Sequence, residues 1–202
     1  VADFSHLPIR CPYIAFMPQW DFLNFLAGHA SRYPTFTLRM ETEVTGLIEQ
    51  DGRVAGVRAR KPDGEMEVRA GLVVGADGRH SVVRAEAGLR VEDFGAPMDV
   101  LWFRLSRGAE DPNTPVGRFE SGRIFIMLNR GDYWQCGYVI PKGAADAIRA
   151  RGLPELKKTI APCVSFAGDR VDELADWEQV KLLTVQIDRL KRWYRPGVLC
   201  IG

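Results

Sequence analysis

The sequence from residue 72 to residue 84 reads Leu72-Val73-Val74-Gly75-Ala76-Asp77-Gly78-Arg79-His80-Ser81-Val82-Val83-Arg84. The apolar run at its start predicts a short buried strand, and the glycines on either side of Asp77 predict the turn that ends it. Ser81 is a suitable N-cap for a helix that Gly88 would end. This order of strand, glycine turn and helix places a carboxylate and unpaired backbone N–H groups at the carboxyl end of a strand. In α/β proteins that is where cofactors bind.

Gly-x-Asp-Gly by itself is also a common turn in proteins that bind nothing there. The longer pattern is more specific, because Asp77 and Gly78 are followed at fixed spacing by His80, Ser81 and Arg84. This pattern resembles the second fingerprint, or "DG" motif, of the flavin-dependent aromatic hydroxylases, the class A flavoprotein monooxygenases. The resemblance implies an FAD-binding domain around the motif.

Length and composition describe an ordinary globular protein. The chain has 202 residues, of which 46% are hydrophobic and 26% charged, enough for one or two cores. A net charge of +1 gives no reason to expect nucleic acid or an anionic membrane as a partner. No apolar run approaches the length of a membrane-spanning helix, and the first residues do not read as a signal peptide. These features predict a cytoplasmic protein.

The cysteines and histidines are scattered along the chain. No Cys-x-x-Cys pair occurs, and the wide spacing predicts reduced, mostly buried thiols and no metal site. The cysteines are Cys11, Cys136, Cys163 and Cys200.

Residues 1–95 are predicted to form a partial FAD-binding domain. Residues 13–17 read as a strand, Pro18 begins a helix that ends near Tyr33-Pro34, and residues 36–40 read as another strand. A β-meander follows over Glu43–Gln50, Arg53–Lys61 and residues 65–70, with turns at Asp51-Gly52 and at residues 62–64. The apolar residues at helical spacing are predicted to pack in a core; they are Phe22, Leu23, Phe25 and Leu26.

Residues 96–195 have a different texture. Segments rich in β-branched and aromatic residues predict a mostly antiparallel sheet, with short helices over residues 144–151, 153–163 and 171–176. The predicted strands cover residues 98–105, 116–120, 123–129, 132–140 and 180–190. The resemblance implies that residues 96–195 form the substrate domain, whose sheet covers the flavin. The predicted fold class is therefore α/β plus α+β: a partial Rossmann-like FAD-binding domain with a β-meander, then a mostly antiparallel substrate-domain sheet with helices.

Residues 196–202 read as a strand that returns to the FAD-binding domain. In the family that the chain resembles, the corresponding strand leads to a Gly-Asp motif that contacts the flavin. Gly202 corresponds to the first residue of that motif. The Gly-x-Gly-x-x-Gly loop that opens such proteins occurs nowhere in the sequence. The expectation is that the chain corresponds to the middle of a longer protein and is inactive by itself.

The candidate site residues fall into two groups. By resemblance the cofactor group comprises Gln19, Asp77, Gly78, Ser81, Arg84 and Gly202. Gln19 matches a residue along the flavin's ribityl and phosphate chain, and its alternative is an exposed residue in a first helical turn. The candidate substrate-binding residues are Trp102, Phe125, Met127, Trp134, Tyr138 and Gln186. The alternative for the apolar ones is core packing. Gln186 is included because residues 184, 186 and 188 would share the polar face of one strand.

The function implied by the resemblance is that of an FAD-dependent monooxygenase. NADH or NADPH would reduce FAD, and one oxygen atom would pass to a small, possibly aromatic substrate. Asp77 would accept hydrogen bonds from a ribose or guide the pyridine nucleotide, and Arg84 would neutralise pyrophosphate or pair with an acidic neighbour. The alternatives are a flavin reductase of isoprenoid type, a halogenase, and a non-catalytic chain that binds no flavin. The expected partner is a small-molecule substrate, and homodimer formation is left open.

Overall fold

The computed structural model describes residues 3–164 and 166–202, which form two compact units. The large-sheet unit contains the described residues up to His29 together with Ala96–Val185. The motif unit contains Ala30–Gly95 and Gln186–Gly202. The chain therefore leaves the large-sheet unit after residue 29, and again after residue 185. The predicted domain boundaries at 95 and 195 stay a prediction.

The α-helices are α1 Gln19–Ala30, α2 Val82–Glu86, α3 Ala145–Arg151 and α4 Leu153–Ile160. The strands are β1 Glu43–Gln50, β2 Arg53–Lys61, β3 Gly64–Arg69, β4 Val73–Gly75, β5 Val91–Asp93, β6 Met98–Ser106, β7 Val116–Glu120, β8 Arg123–Asn129, β9 Tyr133–Pro141, β10 Lys181–Leu183, β11 Asp188–Leu190, β12 Tyr194–Arg195 and β13 Val198–Cys200. Short 3₁₀ turns cover Ala161–Cys163, Gly168–Glu173 and Trp177–Gln179.

The large-sheet unit is built on an antiparallel sheet with the strand order β10-β6-β9-β8-β7. Side chains alternate between its two faces, as strand geometry requires. One face is buried in a core shared with α3, α4 and the 3₁₀ turns; its largest members are Trp134, Phe125, Leu101, Leu105, Met127, Ile140, Ile160 and Leu174. The predicted antiparallel sheet with attached helices is confirmed.

The motif unit combines the predicted meander with a small parallel pair. Strands β1, β2 and β3 form an antiparallel sheet, and β4 pairs in parallel with β13. The turn after β1 has positive φ at both Asp51 and Gly52, the geometry that suits a tight hairpin. Gly197, with φ +81°, lies so close to β2 that an added Cβ would stand 1.9 Å from the Val54 carbonyl oxygen. Only glycine permits this approach of the returning segment to the meander.

Two predicted strands are wrong. Residues 13–17 and 36–40 are irregular, and neither segment joins a β-ladder among the described residues. A strand has to pair with a neighbour to satisfy its backbone, so an apolar run without a partner does not form one. The predicted burial of α1 is also wrong, since the four side chains predicted to pack in a core are between 42% and 56% exposed; they are Phe22, Leu23, Phe25 and Leu26.

The predicted single strand over residues 180–190 is wrong as well. Its first part, β10, pairs with β6, and its last part, β11, pairs with β5. Between them, the Val185 N–H donates to the Asp99 carboxylate at 3.0 Å, and the Val185 carbonyl accepts from the Lys142 ammonium. These bonds use the N–H and carbonyl of Val185, which would otherwise have continued the ladder between β10 and β6. Gln186 consequently lies outside the large sheet and is exposed.

The cysteines agree with the prediction of reduced, mostly buried thiols. Cys136, Cys163 and Cys200 are buried, Cys11 is exposed, and all four are unpaired. Burial, aided by the charge of Glu173, raises the pKa of Cys136 to about 12, so this thiol is inert. Among the described residues, no helix has the length and apolarity needed to cross a bilayer.

A buried carboxylate fastens the loop after β6 to the core. Asp111 pairs with the Arg170 guanidinium and accepts hydrogen bonds from Trp134 Nε1 at 2.8 Å and from the Gly108 N–H at 3.0 Å. The bond from Arg170 is the largest influence on the pKa of Asp111. Together with the bonds from Trp134 and Gly108 it outweighs burial and holds this pKa well below its ordinary value.

Replacing Asp111 by alanine should therefore lower the free energy of unfolding by about 3 kcal/mol, because Arg170 and the Trp134 N–H lose their buried partner. In the unmodified protein this stabilisation is complete above about pH 4, the ordinary pKa of an unfolded aspartate. It is lost as the pH falls toward the lower pKa of the folded state. Urea denaturation at several pH values measures both effects. Asp63→Ala, in an exposed turn, is the control, and equal losses in the two variants would contradict the assignment.

The uncovered face of α1 leads to a second prediction. Contiguous exposed apolar side chains favour association, so the 202-residue chain by itself should self-associate. Phe22→Glu combined with Leu26→Lys should shift it toward the monomer and keep the helix through an i,i+4 ion pair. Sedimentation velocity over a concentration series measures the change. Phe119→Lys removes an exposed aromatic side chain on β7 and is the control. If this variant becomes monomeric and the α1 variant does not, the surface that self-associates lies outside α1.

Candidate functional site

The first candidate site lies at the carboxyl end of the parallel pair in the motif unit. Gly75 ends β4 opposite Cys200 of β13, and the Ile201 N–H donates to the Gly75 carbonyl at 2.8 Å. The chain then turns through Asp77, and the Gly78 N–H donates to the Gly202 carbonyl at 3.1 Å. Two predicted cofactor residues, Gly78 and Gly202, are thus in direct contact although they are far apart in the sequence. The position is the edge of a parallel sheet where α/β proteins bind ligands.

The Asp77 carboxylate holds the start of α2. One oxygen accepts the Ser81 hydroxyl, and the other accepts the Val83 N–H at 3.1 Å. The Ser81 oxygen in turn accepts the Arg84 N–H at 2.9 Å, as predicted for an N-cap. Burial alone would raise the pKa of Asp77, but the bonds from Ser81 and Val83 outweigh it and keep this pKa below its ordinary value. Asp77 is therefore an anion whose acceptors are partly committed to its own helix.

Glycines and an arginine shape the turn. An added Cβ at Gly75 would stand 2.8 Å from Val83 Cγ1 and 3.1 Å from Cys200 Sγ, so glycine allows α2 to pack against the strands. Gly78 has φ +77°, with open space where a Cβ would project. The Arg84 guanidinium donates to the Arg79 carbonyl at 2.6 Å and keeps the turn closed.

A cavity of about 200 Å³ opens beside this turn. Arg84 and Arg189 border it together with Ser81 and Gly202. Two arginines suit phosphate groups, and glycine backbone permits the close approach of a ligand. These donors fit FAD, although the volume holds only a part of a dinucleotide.

The second candidate site is a cleft in the large-sheet unit, on the face of the sheet opposite the core. It has a volume of about 690 Å³, within the range of small-molecule sites. The sheet contributes Trp102, Arg104, Tyr133 and Gln135, and the segment at the start of α1 contributes Gln19 and Trp20. Arg130, Glu178, Gln179 and Lys181 also border it. Two predicted residues, Gln19 and Trp102, therefore line one cleft.

Three predicted pocket residues lie in the core instead. Phe125, Met127 and Trp134 are at most 1% exposed, on the face of the sheet covered by helices. The reason is the strand period of two, which sends alternate side chains to opposite faces. Tyr138 is on the same covered face and borders a separate cavity of about 120 Å³ with Ile148 and Arg151. Core packing, the alternative considered for these residues, is what the structure has for the first three.

Sequence reasoning missed several residues of the cleft. Arg104 lies two positions after Trp102 and pairs with Gln135 across the ladder. Alternation along β6 and β9 therefore identifies Arg104, Tyr133 and Gln135 once the open face is known from Trp102. Arg130 lies outside this pattern because it belongs to the turn before β9.

The hydrogen bonds of Asp77 generate a prediction about stability. Asp77→Ala and Ser81→Ala should each lower the free energy of unfolding by about 1 kcal/mol, as for the loss of a helix cap. The double variant should lose less than the sum, because the two side chains share one hydrogen bond. Urea denaturation of the three variants tests this, with Asp63→Ala as a turn control. Strictly additive losses would contradict the shared cap.

Known proteins resemble the chain in sequence and in fold. It is 34% identical over 204 residues to 6-methylpretetramide 4-monooxygenase of Streptomyces rimosus, a match that covers 99% of this chain and 48% of that relative. It is 44% identical over 162 residues to digeranylgeranylglycerophospholipid reductase of Methanosarcina mazei, covering 80% of this chain and 37% of that relative. The chain thus spans half or less of the length of these curated relatives.

The fold is shared with a solved flavoenzyme. The myxobacterial chondrochloren halogenase superposes with a TM-score of 0.77 at 20% identity, over 98% of this chain and 48% of the halogenase. At that identity the likeness concerns the fold alone. A family model described as "FAD binding domain" matches residues 1–202. Because the match extends over the whole sequence, the chain belongs to the FAD binding domain family.

Proposed function

We propose that the complete protein is an FAD-dependent monooxygenase that uses NADH or NADPH and transfers one oxygen atom to an aromatic substrate. The observation that carries the proposal is the Asp77–Arg84 turn at the carboxyl end of β4 and β13, in a chain of the FAD binding domain family. The relative from Streptomyces rimosus supports the same activity, since it is a monooxygenase by name and matches the chain over 99% of its length.

The residues proposed to hold FAD are those predicted from the motif. Gly78 and Gly202 offer backbone that a ligand can approach closely, and Arg84 supplies positive charge for phosphate. Ser81 and Asp77 act mainly by fixing the start of α2. When bound, FAD would supply the electron transfer between the pyridine nucleotide, oxygen and the substrate.

The substrate is proposed to bind in the cleft of the large-sheet unit. Trp102 and Tyr133 present aromatic rings there, which suit a flat apolar ligand. Gln135 and Arg130 provide the polar contacts that orient a ligand in such a site. Phe125, Met127 and Trp134 are not part of this proposal, because the core buries them.

A reductase is the second candidate, favoured by the 44% identity to the archaeal reductase. The two candidates differ in what the electrons reduce. A monooxygenase consumes molecular oxygen together with NAD(P)H, whereas a reductase transfers the electrons to a carbon–carbon double bond and needs no oxygen.

The protein expressed from its complete reading frame should be yellow and should lose its flavin absorbance on anaerobic mixing with NADH or NADPH. On admission of air, oxygen uptake should match NAD(P)H oxidation and should accelerate with a hydroxylatable aromatic compound. Asp77→Ala should slow flavin reduction or weaken FAD retention beyond its effect on unfolding, whereas Asp63→Ala should not. A flavin that neither nucleotide bleaches would overturn the proposal, and bleaching with no oxygen uptake would favour the reductase.

A further inference from the structure

A cavity of about 120 Å³ lies between the helices of the large-sheet unit and the covered face of its sheet. Its apolar lining consists of Ile148 of α3, Leu156 of α4 and the ring of Tyr138 on β9. Tyr138 and Ile148 also pack against the core cluster that contains Leu156. The cavity and the proposed substrate cleft are formed by opposite faces of one sheet. The proposed function therefore gives this cavity no role.

Two polar side chains at the cavity have no partner among residues 3–164 and 166–202. Within that part of the chain, the Tyr138 hydroxyl makes no hydrogen bond, and the Arg151 guanidinium makes neither a hydrogen bond nor an ion pair. Burial is the largest influence on the pKa of Tyr138 and raises it, so the hydroxyl stays protonated at neutral pH and can donate. The charges of Arg151 and Arg123 act on the same pKa in the opposite direction, because both cations are near the hydroxyl.

The other polar groups of the cavity are already engaged. The Thr159 hydroxyl donates to the Glu155 carbonyl at 2.9 Å, and the Glu155 carboxylate lies 3.8 Å from the Lys158 ammonium. Lys158 therefore offsets the charge of Glu155, whereas Arg151 has no counter-ion among the described residues. The cavity thus combines an apolar wall with one unpaired cation and one hydroxyl donor. This combination matches a ligand that has an ionised head and an apolar tail.

The volume of the cavity limits the length of that tail. A cavity of about 150 Å³ accommodates benzene, which has six non-hydrogen atoms. Butyrate has the same number, so the carboxylates from acetate to butyrate suit a volume of about 120 Å³. An inorganic anion would leave Ile148 and Leu156 without a contacting atom, and this loss of dispersion contacts favours a ligand with an alkyl chain.

We propose that this cavity binds a short-chain carboxylate, with its charged end between Arg151 and the Tyr138 hydroxyl and its alkyl chain against Ile148 and Leu156. The Arg151 guanidinium supplies a charge-assisted hydrogen bond, and the Tyr138 hydroxyl supplies a second hydrogen bond. Neither donor has to give up a partner within the described residues. The site is independent of the proposed monooxygenase function, since it shares no residue with the cleft or with the cavity beside the Asp77 turn.

The test follows the methyl resonance of Ile148 by NMR, in the protein from its complete reading frame with ¹³C-labelled isoleucine methyl groups. During titration with sodium butyrate at constant ionic strength, this signal, identified by its loss in Ile148→Val, should shift and saturate. The expected Kd is on the order of 1 mM, because so small a ligand makes few contacts. Butyramide, a neutral ligand of the same shape, should bind about tenfold more weakly. The methyl signal of Ile48, in the motif unit, should not move.

Variants assign the two donors. Arg151→Gln should weaken butyrate binding about tenfold and remove the advantage of butyrate over butyramide, and Arg151→Lys should retain part of that advantage. Tyr138→Phe keeps the ring and should weaken butyrate binding about threefold, the effect of one neutral hydrogen bond. Arg149→Gln removes the same charge two positions earlier in α3 and is the control; it should leave butyrate binding unchanged.

Four results would overturn the inference: an Ile148 signal that does not saturate, equal affinity for butyrate and butyramide, unchanged butyrate binding in Arg151→Gln, and an equal loss in Arg149→Gln. A shift of Ile148 with inorganic phosphate and none with butyrate would also contradict it. Arg151 is exposed, so its replacement leaves the core intact, and the test does not depend on the folding of Tyr138→Phe. Urea denaturation of each variant checks that the fold is kept.

Discussion

The parallel pairing of β4 with β13 is the constraint on which the motif unit depends. It joins segments more than a hundred residues apart and brings the Asp77 turn beside Gly202. The pairing leaves room for α2 only because Gly75 has no side chain between Val83 and Cys200. Once α2 is seated, Asp77 and Ser81 satisfy its first N–H groups and place a negative charge at its positive end. The residues of the fingerprint therefore fix the packing of α2 against β4 and β13.

The two faces of the large sheet differ in burial and in composition. The covered face is apolar and carries the core, so residues there contribute by burial. The open face carries tryptophan, tyrosine, arginine and glutamine, which line the cleft with residues from the start of α1. A strand supplies both faces at once, since successive residues point in opposite directions. A change of one position in register would exchange the two roles.

Buried carboxylates decide where regular structure ends. Asp99 accepts bonds from Lys142, from the Gly143 N–H and from the Val185 N–H, which stops β10 after three residues. In the loop between β6 and β7, the Asp111 carboxylate likewise accepts hydrogen bonds from Arg170, Trp134 and the Gly108 N–H. In both places a charge takes over backbone or side-chain donors that a ladder or water would otherwise satisfy. The chain can therefore leave the large-sheet unit at Val185 without an unpaired buried N–H.

Local signals in the sequence determined the meander, the Asp77 turn, the N-cap at Ser81, the extent of α1 and most strands of the large sheet. Such signals act between residues that are neighbours in the chain, through turn conformation, capping and the period of two or 3.6. Only the tertiary structure decided which face of the sheet is open, and therefore that Phe125, Met127 and Trp134 lie in the core. It also decided that Arg130 borders the cleft and that residues 180–190 divide between two sheets. These outcomes depend on pairing and burial between distant segments. The sequence of an apolar run such as residues 13–17 does not show whether another strand lies beside it.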